Sequence, residues 1–210
     1  MRAPARLAVA PPEPRRRVRA TAVVLAVLAM LALAQVPARA DPEAADDPVQ
    51  LRTRKEGNAV SVDARARVDA PVELVWAVLT DYDRIAEFIP NFDVSRVLSR
   101  DGTRVTVHQR GVASFLFLRF PIDVIVESTE QYPRRISVRQ RSGNLARLTG
   151  QYDIEVEPAR GAARPIVSLR WHGVIEPAQY LPPLLGHALI AHNIERQFRA
   201  LVDEIGRRAR

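Results

Sequence analysis

Cysteine is absent from the 210 residues. That excludes disulfides, thiol nucleophiles and every cysteine-built metal site. Lysine is almost absent: Lys55 is the only one among 31 basic residues. With the many alanines, this skew reads as genome composition. The chain has no Gly-x-Ser-x-Gly elbow, no His-Glu-x-x-His and no glycine-rich phosphate loop. These absences speak against the common motif-bearing hydrolases. They say little against an enzyme that works by shaping a pocket. A membrane-spanning helix needs about 20 apolar residues; the run at residues 22–34 stops at 13.

The charge that is present is unevenly placed. The formal total is +7, but residues 1–40 carry +6 of it and residues 41–210 only +1. A chain without a broad basic face gives no reason to expect a nucleic-acid partner. Arg15, Arg16, Arg17 and Arg19 precede the 13-residue apolar run, which ends near Ala38-Arg39-Ala40. A basic start, a short apolar run and an Ala-x-Ala end predict a signal peptide over residues 1–40, removed after Ala40. The mature protein is then expected to be periplasmic or secreted. With no cysteine to acylate, a lipoprotein anchor is excluded. Residues 41–57 are acidic, then mixed in charge, and predict a flexible leader. One domain is expected over residues 58–207.

Within that domain Val60, Val62, Ala64, Ala66 and Val68 alternate with polar residues, the period of a half-buried strand. After Pro71, the spacing of Val72, Val75, Trp76 and Leu79 marks one face of a short helix. Ile85, Phe88 and Ile89 predict a second, stopped by Pro90. Alternation then returns and persists to about residue 176. Turns are predicted at Asp101-Gly102, Tyr132-Pro133, Ser142-Gly143-Asn144 and residues 158–161. Such short connections imply an antiparallel meander with one apolar face and one arginine-laced face. From Pro182-Pro183 to about Arg207 a long helix is predicted. Its apolar arc holds Ala188, Ala191, Ile194, Phe198, Leu201, Val202 and Ile205. The only large apolar surface able to cover that arc is the inner face of the sheet. The fold class is therefore α+β: a curved antiparallel sheet, two short helices after the first strand, and one long C-terminal helix across the sheet.

The stretch Ala70-Pro71-Val72-Glu73-Leu74-Val75-Trp76-Ala77-Val78-Leu79-Thr80-Asp81-Tyr82 resembles the first helix of the bacterial polyketide cyclase/dehydrase and coenzyme Q-binding group. Residues 85–90, Ile-Ala-Glu-Phe-Ile-Pro, resemble its second helix. This group lies in the START/Bet v 1-like (SRPBCC) superfamily, and the resemblance covers roughly residues 58–207. It implies the helix-grip fold and a cavity between sheet and long helix that takes apolar or aromatic ligands. The expected partner is a hydrophobic small molecule such as a lipid, quinone or aromatic compound, with transient contact to membrane lipid. The resemblance also leaves a cyclase/dehydrase-type enzyme or a protein-interaction domain with a filled cavity as alternatives. No cofactor is expected.

Candidate residues follow from phase and chemistry. The large aromatics near the interior are Trp171, Tyr152, Phe120, Phe115, Phe117 and Trp76. Trp171 and Tyr152 sit in the sheet phase that faces the helix. Gly150, Gly173, Ala188 and Ala191 either leave room for a ligand or allow close packing. The set expected to line the cavity is Trp171, Tyr152, Phe120, Phe115, Gly150, Leu184, Ala188, Ala191, Glu195 and Phe198. Glu195 falls inside the apolar arc. It either pairs with Arg199 at i+4 or stands at the cavity wall and orients a ligand carbonyl or hydroxyl. His108 and His172 are in phase with arginines and point to solvent. His187 and His192 are five apart, on different helix faces, and cannot form a metal pair. No metal site and no catalytic residue is assigned. Residues 180–186 form an apolar loop or helix start, a candidate gate or membrane-touching lip. Arg134, Arg135, Arg139, Arg141 and Arg147 form a basic cluster, either a solvated strand face or a seat for an anionic headgroup.

Overall fold

The computed structural model describes residues 48–158, 166–179 and 183–210. The expected signal peptide, residues 41–47 of the expected leader, residues 159–161 of the expected turn and the apolar residues 180–182 lie outside the described residues. Eight strands form one antiparallel sheet: β1 Val49–Glu56, β2 Ala59–Val68, β3 Phe92–Asp101, β4 Arg104–Phe115, β5 Leu118–Gln131, β6 Arg135–Gly143, β7 Leu145–Glu157 and β8 Ile166–Pro177. Between β2 and β3 come helix α1 (Val72–Leu79), a single 3-10 turn (Tyr82–Arg84) and helix α2 (Ile85–Phe88). Helix α3 (Pro183–Arg208) closes the chain. No helix among the described residues is long and apolar enough to cross a membrane.

The strand order is β1-β2-β8-β7-β6-β5-β4-β3. The two short helices thus carry the chain from β2 to the far edge of the sheet. The meander β3 to β8 then walks back until β8 pairs with β2. Helix α3 lies across the apolar face, packed against β1, β2, β4 and α1. On β2 that face is built from Val60, Val62, Ala64, Ala66 and Val68, all buried. The two alanines keep the strand low beneath the helix.

Two differences from the sequence expectation concern elements. Residues 49–56, expected to be leader, form the edge strand β1, paired with β2 from Val49↔Ala66 to Glu56↔Ala59. Val49 and Leu51 turn toward the core. The outward residues Gln50, Arg52, Arg54 and Glu56 are polar, so a signal of only two apolar residues is easily hidden. The buried stripe of α3 also differs. It runs through Leu189, Ile190, Asn193, Phe198, Leu201, Glu204 and Ile205, whereas Ala188 and Ala191 are only half-buried. Two polar residues, Asn193 and Glu204, belong to the inner face because each is fully served there. Asn193 Nδ2 donates to the Leu189 carbonyl (2.7 Å) and the Ser114 carbonyl (2.9 Å). Its Oδ1 accepts from Asn91 Nδ2 (2.7 Å) and the Ser114 amide (3.2 Å). Glu204 accepts from Arg207 (2.7 Å) and Arg208 (2.6 Å).

Candidate functional site

The fully buried apolar side chains fall into two clusters, with Ile85, Val138 and Ile175 packed against both. One cluster joins β1, β2, β8 and α1 to the C-terminal half of α3, through Val60, Val75, Leu169 and Ile205 among others. A second joins β4 and β5 to Tyr82, Leu145 and Leu189. Between them lies a cavity of about 180 Å³. Its wall draws on both clusters: Ile136 and Phe198 from the first, Tyr82 and Val126 from the second. The long helix supplies Ile194, Gln197, Phe198 and Leu201, the short helices supply Val78, Leu79, Ile85 and Phe88, and Ile89 follows directly after them. The sheet supplies Phe92, Gln109, Ser128, Val138, Leu148, Gly150, Tyr152, Trp171 and Ile175.

Local sequence explains the sheet side. Gly150 and Gly173 are direct cross-strand partners, next to the pair Tyr152↔Trp171. A Cβ on Gly150 would sit 2.9 Å from Trp171 Nε1, and one on Gly173 would sit 2.8 Å from Trp171 Cζ2. The glycine pair therefore gives the indole a floor to lie on. Tyr152 meets Trp171 at 6.4 Å between ring centroids, tilted by 52°, within the range of favourable aromatic pairing. The result is an aromatic corner under the helix.

Few polar groups face this cavity, and none of its lining side chains is a carboxylate or an imidazole. Burial alone pushes the Tyr152 phenol up to about 12. Burial likewise raises the Tyr82 phenol above its ordinary range, only partly offset by the adjacent Ser128 hydroxyl. The Tyr82 hydroxyl is buried without a partner in hydrogen-bond geometry. At neutral pH both phenols are protonated donors. The site can therefore bury an apolar body and offer hydrogen bonds to a polar end, but its lining holds no general base.

Of the residues proposed from sequence, the structure brings Trp171, Tyr152, Gly150 and Phe198 together around the cavity. It places the others elsewhere. Phe120 is buried in the second cluster. Phe115 packs on His192, 5.5 Å between ring centroids. Ala188 and Ala191 do not line the wall, because the stripe of α3 is turned relative to the simple wheel. Glu195 is turned outward, its side chain 40% exposed, and pairs with Arg199 at 2.9 Å. The i+4 ion pair is the arrangement present. The side chain of Leu184 lies outside the described residues. Phe117, expected near the interior, is 79% exposed. Tyr82, Phe88 and Phe92 were missed as lining residues. Tyr82 and Phe88 sit in the short helical segment, where periodicity is too brief to assign a face.

The remaining sequence candidates lie outside the cavity lining. His108 Nε2 lies 2.8 Å from Asp123 and His172 Nδ1 lies 3.5 Å from Asp153. His187 bonds Thr53 across 2.8 Å, tying α3 to β1. The basic cluster is largely neutralised in place. Arg135 meets Asp153 at 2.9 Å and Arg147 meets Glu176 at 3.2 Å. Arg139 and Arg141 share Glu127 at 2.9 and 2.8 Å. Four of the five arginines are thus spent on strand-to-strand pairs.

Comparison with known proteins agrees with this architecture. Residues 59–210 match the family described as polyketide cyclase / dehydrase and lipid transport. Among solved structures, the chain is similar to the Zhui aromatase/cyclase of Streptomyces sp. R1128, with 19% identity and a TM-score of 0.56 over 77% of this chain and 97% of that one. It is similar to a STAR-related lipid transfer protein from Xanthomonas axonopodis, with 17% identity and a TM-score of 0.57 over 76% and 94%. A START superfamily protein from Mycobacterium smegmatis matches at 13% identity and a TM-score of 0.52 over 70% and 97%. No curated protein matches the chain. At these identities the structural neighbours establish the fold alone.

Proposed function

We propose a function on one premise: the chain belongs to the polyketide cyclase / dehydrase and lipid transport family. Its cavity binds a compact hydrophobic small molecule, a ring system or a short stretch of acyl or isoprenoid chain. The observation that carries this reading is the aromatic-lined cavity at the seam of the two core clusters. Size bounds the ligand. A volume of about 180 Å³ is below the roughly 300–1,000 Å³ of sites that enclose drug-sized ligands. It is close to an engineered cavity of roughly 150 Å³ that takes one benzene. A whole diacyl lipid does not fit without the helix moving; a quinone head group or a single aromatic ring does.

Burial alone sets a weak affinity. A ring of side-chain size buries ~150–250 Å², about 4–6 kcal/mol at ~25 cal/mol per Å². That corresponds to millimolar to tens of micromolar before the cost of association. Tighter binding must come from hydrogen bonds by Tyr152, Tyr82, Gln109 or Gln197 to a carbonyl or hydroxyl on the ligand. A cyclase reading stands second. It is favoured by the two protonated phenols, which can polarise a carbonyl, and weakened by the lack of a basic group in the lining.

Export is part of the proposal. It rests on the basic start, the 13-residue apolar run and Ala38-Arg39-Ala40, and predicts a mature chain beginning at Asp41. Native mass spectrometry of gently purified protein tests the binding function. A co-purified hydrophobic adduct is expected, and its mass separates quinone, aromatic and acyl classes. If there is no adduct, and no binding of a benzoquinone, a naphthol or dodecanoate at millimolar concentration, the proposal fails.

A further inference from the structure

The hairpin between β4 and β5 has a turn that contradicts ordinary turn chemistry. Phe115 and Leu118 are its closing pair, so Leu116 and Phe117 are its two central residues. Two-residue hairpin turns favour Asn, Asp and Gly because the backbone there enters the left-handed region. Here Leu116 holds φ 54°, a conformation unfavourable for a bulky side chain. Both central side chains are turned out, Leu116 75% and Phe117 79% exposed. They are the two most exposed large apolar residues among the described residues. An isolated exposed leucine is unremarkable, but four consecutive apolar residues at a strained tip call for an explanation outside the fold.

The tip is held, not loose. Asn193 of α3 clamps both backbone groups of Ser114, and His192 stacks against Phe115. Beside the tip Arg119 is exposed and has no acidic partner among the described residues. A rigid turn that presents leucine and phenylalanine outward, flanked by a free guanidinium, matches a bilayer interface with anionic headgroups. The apolar pair enters the boundary of the acyl chains and the arginine meets phosphate. A protruding tip suits that soft surface better than it suits a protein partner, which would need a matching pocket. We propose that Leu116 and Phe117 form a membrane-docking tip, with Arg119 supplying its affinity for anionic lipid. This does not depend on what the cavity holds.

The absence of cysteine makes a local test available. Phe117→Cys and Arg134→Cys each accept one environment-sensitive fluorophore (NBD) in the full chain. Arg134 lies beyond the opposite end of β5, a strand of 14 residues and so about 45 Å long. With vesicles of phosphatidylcholine and phosphatidylglycerol at 70:30, the probe at 117 is expected to brighten and shift to the blue, while the probe at 134 stays unchanged. Vesicle partition of unlabelled Leu116→Asn/Phe117→Gly, which restores favourable turn chemistry, should be about tenfold weaker than wild type with no loss of Tm. Arg119→Gln should lose several-fold on these vesicles and little on phosphatidylcholine alone. The local probe separates the tip from the apolar run at residues 22–34. No spectral change at 117, or equal partition of the Asn-Gly variant, overturns the proposal. So does a shift at 117 that depends on protein concentration without vesicles, which marks a second copy as the occupant.

Discussion

At the scale of residues, Tyr152 and Gly150 decide the quality of the cavity. Tyr152 has no hydrogen-bond partner among the described residues and lines the cavity. Replacing it by Phe should therefore weaken binding of a ligand that carries a carbonyl by about fivefold to tenfold, the worth of one neutral hydrogen bond. Stability should be unchanged or slightly raised, because the hydroxyl serves nothing in the fold. Calorimetric titration beside a thermal melt separates the two. Gly150→Ala acts through its neighbour. The new methyl group meets the indole of Trp171 at 2.9–3.1 Å, so the ring must move toward the helix. A loss of about 1–3 kcal/mol is expected from overpacking, with a changed Trp171 emission spectrum. An unshifted spectrum with full stability contradicts the packing described. Asn193→Ala strands the Ser114 amide and carbonyl and the Asn91 amide at one point. About 2–4 kcal/mol should be lost in denaturant melts, well above a typical surface change.

At the scale of elements, the end of α3 is fastened by charge. Hydrogen bonds from Arg207, then Arg208, hold the Glu204 carboxylate at a pKa of about 2. Arg208 also reaches Asp81 at 2.9 Å and lies over the Phe88 ring at 5.5 Å. The folded value lies below the ordinary 4.5. The stabilisation is therefore complete above pH 4.5 and is lost as pH falls toward 2. Glu204→Gln should cost about 1–2 kcal/mol at pH 7, discounted for the exposed Arg207. The gap from wild type should close between pH 4.5 and 2; a gap that stays constant to pH 2 contradicts this assignment. The same element shows what a sequence discloses and what it hides. The length and amphipathic character of α3 were legible from spacing. Its exact facing was not, because Asn193 and Glu204 count as polar on a wheel but are inside. Glu195, which the wheel put inside, is outside with Arg199. Hydrogen-bond partners decide such positions. Those of Asn193 come from Asn91 and Ser114 far along the chain, whereas those of Glu204 are Arg207 and Arg208 one turn on, which a wheel of apolar residues leaves out of account. Edge strand β1 escaped for a related reason: an edge needs only one apolar face two residues deep, and Val49 and Leu51 supply it.

At the scale of the molecule, the strand alternation and the short turns carried the architecture. Alternation assigns each strand a face, and short turns leave only antiparallel neighbours. The cavity was legible in part, because Trp171, Tyr152 and Gly150 share the sheet phase that faces the helix. Its position was not, since it depends on where two apolar clusters, bridged by Ile85, Val138 and Ile175, leave space between them. That gap arises from shape. The helix crosses a sheet whose two halves pack against different parts of it, and the aromatic corner of Tyr152 and Trp171 props the seam open. The central claim is that this seam is open and apolar. Crystals pressurised with xenon, which enters dry apolar cavities, test it most directly. The account predicts a xenon site in contact with Trp171, Tyr152 and Phe198. A seam closed by side chains, with no xenon bound there, would contradict it.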